Sequence, residues 1–104
     1  AKIELHTGKV LWQQPVGLAP YGITWAKGKL YVSNWSGAIP PADDKQTAGI
    51  PWEKAYVNPL GAVSSGTVSV LNSQTGKTIT EIKTGLHPND IISGPNQKFV
   101  YVSN

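Results

Sequence analysis

Apolar and polar residues alternate in short runs along this chain: GKVLWQQPV at 8–16, YGITW at 21–25, KLYVSN at 29–34, GTVSVLN at 66–72, GKTITEIKT at 76–84, NDIIS at 89–93 and FVYVSN at 99–104. A period of two sends successive side chains to opposite faces of a pleat, and the β-branched and aromatic content of the runs suits strands. No stretch sustains the 3.6-residue spacing of an amphipathic helix, so helix is expected to be scarce. Between the runs, AKGK at 26–29, NSQTGK at 72–77 and GPNQK at 94–98 carry the Gly, Asn and Pro that tight turns require. Pro15 cannot donate to a ladder, which places the first long run at a sheet edge. The 11 Gly and 8 Pro agree with a turn-rich all-β chain of 104 residues, large enough for one modest core.

The runs recur in register. Thr7-Gly8-Lys9 returns as Thr75-Gly76-Lys77, Val16-Gly17-Leu18 as Thr84-Gly85-Leu86, and Pro20 and Ile23 as Pro88 and Ile91, all at an offset of 68, while YVSN at 31–34 returns at 101–104, an offset of 70. The slip of two falls inside a turn and leaves each strand's facing unchanged. If the strand after the proline is A, YVSN is B, TVSVLN is C and TITEIKT is D, the chain reads C, D, A, B, insertion, C, D, A, B. Residues 1–34 then hold the end of one sheet and the start of the next. Residues 35–65 are a long B–C insertion, and 66–104 supply the remaining C and D strands and the first two strands of a third sheet.

The insertion, WSGAIPPADDKQTAGIPWEKAYVNPLGAVSS, is longer than a turn needs, and Pro40, Pro41, Pro51 and Pro59 stiffen it. Connections in an antiparallel sheet alternate ends, so the insertion shares an end with the D–A corners VGLAPYG and TGLHPND. Tyr21, His87, Asn89 and Asp90 are therefore expected beside Trp35, Asp43, Asp44, Trp52, Glu53 and Tyr56, and any binding by side chains is expected there. Trp35, Trp52 and Tyr56 suit either an aromatic platform for a sugar, peptide or planar ring, or a hydrophobic cluster that holds the insertion down; the second is preferred. His87 and Asp90, with Asp43 and Asp44, offer oxygen and nitrogen donors but no recognised metal spacing, so a corner hydrogen bond and a solvated acidic turn are the simpler reading. Trp12 and Trp25 are read as packing between sheets.

From Gly66 to Asn104 the chain resembles the YVTN family of β-propeller repeats. That family pairs a Val-Ser-Val-Ile-Asp strand with a Thr/Asn-Gly-Lys turn, a Gly-x-x-Pro corner, a Ser-Pro-Asp-Gly-Lys turn and a closing Tyr-Val-Thr-Asn. Residues 1–34 are similar more loosely; Asn72 stands where the family has an acid, and GPNQK replaces the second turn. The resemblance implies a β-propeller fragment of antiparallel four-stranded blades, from a periplasmic or extracellular bacterial protein. With the insertion, it is further similar to propellers fused to an alkaline-phosphatase-like phosphoesterase domain, none of whose metal-binding residues can be placed here. The expected function is a non-catalytic binding or scaffold segment; the alternative is the propeller part of a phosphoesterase or other hydrolase with its catalytic residues elsewhere. Two incomplete sheets need cover, so further blades of a parent chain, or other copies of this one, are the expected partners.

Charge and composition narrow the rest. Hydrophobic residues are 39% and charged ones 14%, against a disordered polyelectrolyte. The net charge of +3 comes from lysines scattered along the sequence with no arginine, which argues against nucleic acid. Cysteine is absent, removing disulfides, thiolate metal sites and cysteine nucleophiles. No run approaches the roughly 20 apolar residues of a membrane span, and without a leader or an initiating methionine the chain reads as a processed or excised piece. No Gly-x-Ser-x-Gly elbow occurs, and Ser64, Ser65, Ser69 and Ser73 have no evident base, so no catalytic residue, metal or cofactor is assigned. Asn34-Trp35-Ser36 fits a glycosylation acceptor pattern that short sequences also produce by chance.

Overall fold

The computed structural model describes residues 1–45, 47–50 and 53–104, and these contain strands and turns without helix. The strands are β1 (Lys2–Ile3), β2 (Val10–Trp12), β3 (Leu18–Ala26), β4 (Lys29–Gly37), β5 (Thr47–Ile50), β6 (Glu53–Tyr56), β7 (Thr67–Asn72), β8 (Thr78–Lys83), β9 (Ile91–Ser93) and β10 (Val100–Val102). All pairings are antiparallel: a central sheet in the order β3-β4-β7-β8, with β1-β2, β9-β10 and β5-β6 as two-stranded sheets. No helix is long and apolar enough to cross a membrane among the described residues.

The central sheet holds one A, B, C and D strand, in the order that the alternating runs imply. Its β7 strand is buried at Thr67 through Leu71 although its residues alternate Val and Ser, because both of its faces are covered. Leu71 and Val32 line a cleft with Trp12 and Val16 on the β2 side, and Val68 lines one with Ile91, Val100 and Val102 on the β9-β10 side. Leu18, Ala26, Val32, Val68, Val70, Leu71 and Ile91 form the buried apolar core. Strand β8 has no such cover, and all six of its residues are exposed.

Matching turns close in matching ways. In the β7-β8 turn the Asn72 amide donates to the Lys77 carbonyl and Gly76 donates to Asn72; in the β1-β2 turn Glu4 donates to Lys9 and Gly8 to Glu4. The left-handed residues coincide as well: Gly8 and Gly76, Ala19 and His87, Lys27 and Gln97. At Gly76 glycine is required twice over, since φ is +77° and a Cβ would stand 2.6 Å from the Trp12 ring. Trp12 also donates its indole N–H to the Gln74 carbonyl at 3.0 Å, so it packs between sheets as its sequence context suggested. Trp25 is half exposed on a shallow cleft with Trp12 and Leu30.

Three element boundaries differ from the sequence pattern. Strand β3 begins at Leu18, two residues before Pro20, and its register with β4 shifts on either side of that proline, which cannot donate to the ladder. Pro15 falls outside β2, which ends at Trp12. The 35–65 insertion is not an irregular loop: β4 runs on to Gly37, and β5 and β6 form a hairpin, followed by a Val57–Val63 bridge.

Candidate binding surface at the insertion-bearing end

The tetrapeptide YVSN positions this end through its two polar residues. Alternation sends Ser33 and Asn34 to opposite faces of β4, and both are fully buried. Ser33 Oγ accepts from the Gly22 amide at 2.9 Å and donates to the Asn89 carbonyl, which ties the central sheet to the corner entering β9. Asn34 Nδ2 donates to Ser69 Oγ at 2.8 Å and Thr67 Oγ1 at 3.1 Å, and Thr67 donates onward to Glu81 at 2.6 Å. Gly17 is pressed against this amide, since a Cβ there would lie 2.6 Å from Asn34 Cγ. Ser103 Oγ reaches the Asp90 carbonyl at 3.4 Å, as Ser33 reaches that of Gly22.

Beyond Asn34 the strand delivers Trp35 onto His87. Their rings stack with centroids 4.0 Å apart and planes 19° from parallel. His87 is in the left-handed region at φ +56°, an uncommon conformation for a non-glycine residue that is held here between Leu86 and the buried Pro88. Among the described residues, three buried polar atoms at this end have no hydrogen-bond partner: His87 Nε2, Asn89 Oδ1 and Asn34 Oδ1. Buried polar groups are ordinarily satisfied; His87 Nε2 belongs to the ring stacked on Trp35 and Asn89 Oδ1 to the same corner, whereas Asn34 Oδ1 lies on the opposite face of β4.

The other expected residues divide. Asn89 joins the group, its amide donating to the Ser103 carbonyl at 2.8 Å. Asp90 is exposed; its carboxylate accepts from the Ile91 amide at 3.0 Å, the corner hydrogen bond of the simpler reading. Tyr21 does not meet Trp35 or His87: it is 70% exposed and lines the cleft with Trp12, Ile23 and Leu71, because alternation along β3 turns it toward β2. Asp44 and Tyr56 meet within the insertion, where the Tyr56 hydroxyl bonds to the carboxylate. Partial burial and the Asp44 charge push the Tyr56 phenol above its ordinary 10.0. Asp43 is exposed. Trp52 and the Glu53 side chain lie outside the described residues. Among the described residues no group of three or more His, Asp and Glu side chains gathers in a way that could hold a metal ion.

Sequence reasoning passed over Asn34, Thr67 and Ser69 as site residues, although their signal was present in the repeated tetrapeptide and the hydroxyl alternation opposite it. The glycosylation acceptor pattern at Asn34-Trp35-Ser36 is closed in the folded chain by the complete burial of Asn34. No family model matches the chain, and neither a curated protein nor a solved structure matches it.

Proposed function

We propose that this chain is a non-catalytic binding or scaffold segment of a YVTN-type β-propeller from an exported bacterial protein, and that the insertion-bearing end is its interaction surface. The central sheet would be one whole blade, with β1-β2 the outer half of the preceding blade and β9-β10 the inner half of the following one. Support comes from the shared hydrogen bonds and left-handed positions of the matching turns, and from the hydroxyl ties that Ser33 and Ser103 make to successive corners. The observation that carries the binding reading is the Trp35–His87 stack, with the unpartnered His87 Nε2 in one of its rings and the unpartnered Asn89 Oδ1 two residues along the same corner. Trp35 and His87 are half-buried, so a planar or extended ligand would pack against their rings, and the buried atoms would open to it only as the corner shifts.

Incomplete blades leave apolar faces that require cover, from further blades of a parent chain or from other copies. Light scattering on the isolated chain at micromolar concentration tests this. Self-association is expected, with dissociation accompanied by loss of structure. A rigid monomer that unfolds cooperatively would overturn the propeller reading.

A further inference from the structure

The end of the molecule opposite the insertion has a character that the sequence order conceals. Lysines are scattered along the chain, yet the connections at this end carry Lys9 in the β1-β2 turn, Lys27 and Lys29 at the β3-β4 turn, Lys77 in the β7-β8 turn and Lys98 in the β9-β10 turn. The A–B and C–D turns of the central sheet emerge on one side and bring Lys27, Lys29 and Lys77 together, and contacts with the flanking sheets add the turns of Lys9 and Lys98, five of the nine lysines. The turns are physically joined: the Lys27 amide donates to Gln97 Oε1 at 2.9 Å, the Ser73 amide to the Gly28 carbonyl at 3.0 Å, and Trp12 to Gln74 at 3.0 Å. All five lysines are exposed, and none forms an ion pair with a described residue. Glu4 is the sole acid in these turns, and Thr7 donates to its carboxylate. Asp43, Asp44 and Asp90 belong to the opposite end.

A second observation selects among anionic partners. Leu5, at the tip of the β1-β2 turn, is 97% exposed, where the matching position of the β7-β8 turn is Ser73. Phe99, beside Lys98, is 65% exposed. Duplex or single-stranded nucleic acid is commonly held by arginine forks, and this chain has no arginine. Lysine ammonium groups around a projecting apolar tip suit a different partner: a surface of diffuse negative charge with a hydrocarbon layer beneath, where each lysine contributes attraction and an apolar side chain can enter the interface.

We propose that the lysine-bearing turns, with Leu5 as an apolar wedge, dock this molecule onto an anionic lipid surface, leaving the insertion-bearing end directed away from it. The attachment is peripheral and independent of the propeller reading, since it requires only the sheet connectivity and the contacts that join the turns.

Sedimentation of the chain with vesicles tests it, comparing phosphatidylcholine alone with phosphatidylcholine containing about 30 mol% phosphatidylglycerol. Binding is expected only to the anionic vesicles, weakening as salt shortens the screening length. The triple substitution K27Q/K29Q/K98Q should reduce binding about a hundredfold, at roughly fivefold per lysine near such a surface. The control K45Q/K54Q/K83Q, equal in charge but away from these turns, should retain most of it, and Leu5→Ser should weaken binding with circular dichroism unchanged. Absence of binding to anionic vesicles, equal loss in both triple variants, or tighter binding to a single-stranded oligonucleotide than to vesicles would each overturn the proposal.

Discussion

Asn34 is fully buried and both of its amide hydrogens meet hydroxyls, so its removal leaves Thr67 and Ser69 with lost partners rather than with water. Replacing it with alanine is expected to cost about 2–4 kcal/mol in a urea titration, more than an exposed asparagine would. Tyr56 yields a second expectation. Its raised phenol means that the fold favours the neutral form, so its contribution is complete below 10.0 and disappears as pH rises through the higher folded value. In an absorbance titration of the phenolates Tyr56 should ionise above 10.0, Tyr56→Phe should remove that late step, and Asp44→Asn should bring it earlier. An unchanged profile in Asp44→Asn would contradict the contact. Both residues illustrate a limit on sequence reading. YVSN was visible as a repeated word, whereas the partners of its asparagine come from a strand 33 residues away.

At the scale of elements, pleat periodicity and turn chemistry located every strand of the central sheet, because both are local properties of a few consecutive residues. The boundaries that shifted lie where tertiary contacts extend or interrupt a strand: β3 starts before Pro20 with an irregular register, and β4 continues through Trp35 toward the insertion. The β5-β6 hairpin was not legible, since GIPWEK contains one glycine and one proline, both signals for a loop, and no alternation long enough to mark paired strands. The β7-β8 turn gives a test of an inter-element contact. Gly76→Ala would place a methyl group against Trp12 in a left-handed conformation, with an expected loss of about 2–4 kcal/mol from the two effects together. Trp12→Phe, which forfeits the bond to Gln74 without forcing the backbone, should cost about 1 kcal/mol. Equal losses in the two variants would show that the turn does not depend on close approach to the indole.

Across the whole molecule, β10 and β1 each present an unpaired edge. The β4-β7 pairing sets Tyr31 opposite Val70 and Leu30 opposite Leu71. Carried over at the offsets of 70 and 68, that register places Tyr101 opposite Lys2 and Val100 opposite Ile3 of a neighbouring copy. With no native cysteine to interfere, mixing Tyr101→Cys and Lys2→Cys chains under mild oxidation should give a crosslinked dimer, while Tyr101→Cys with Lys83→Cys should not. Crosslinking without this preference would remove support for strand completion between copies.

The amino-acid sequence by itself determined the all-β character, the strand and turn positions of the central sheet, and the end shared by the insertion and the corners. These follow from side-chain period and from the alternation of connections, which hold whatever packs against the sheet. Tertiary structure alone decided that Trp35 lies on His87, that Tyr21 turns away toward Trp12, and that the turns before Trp12 and before Phe99 are joined to the lysine-bearing turns of the central sheet. Those outcomes depend on which residues distant in the chain are brought within a few ångströms, and that is set by packing between sheets rather than by any short stretch of sequence.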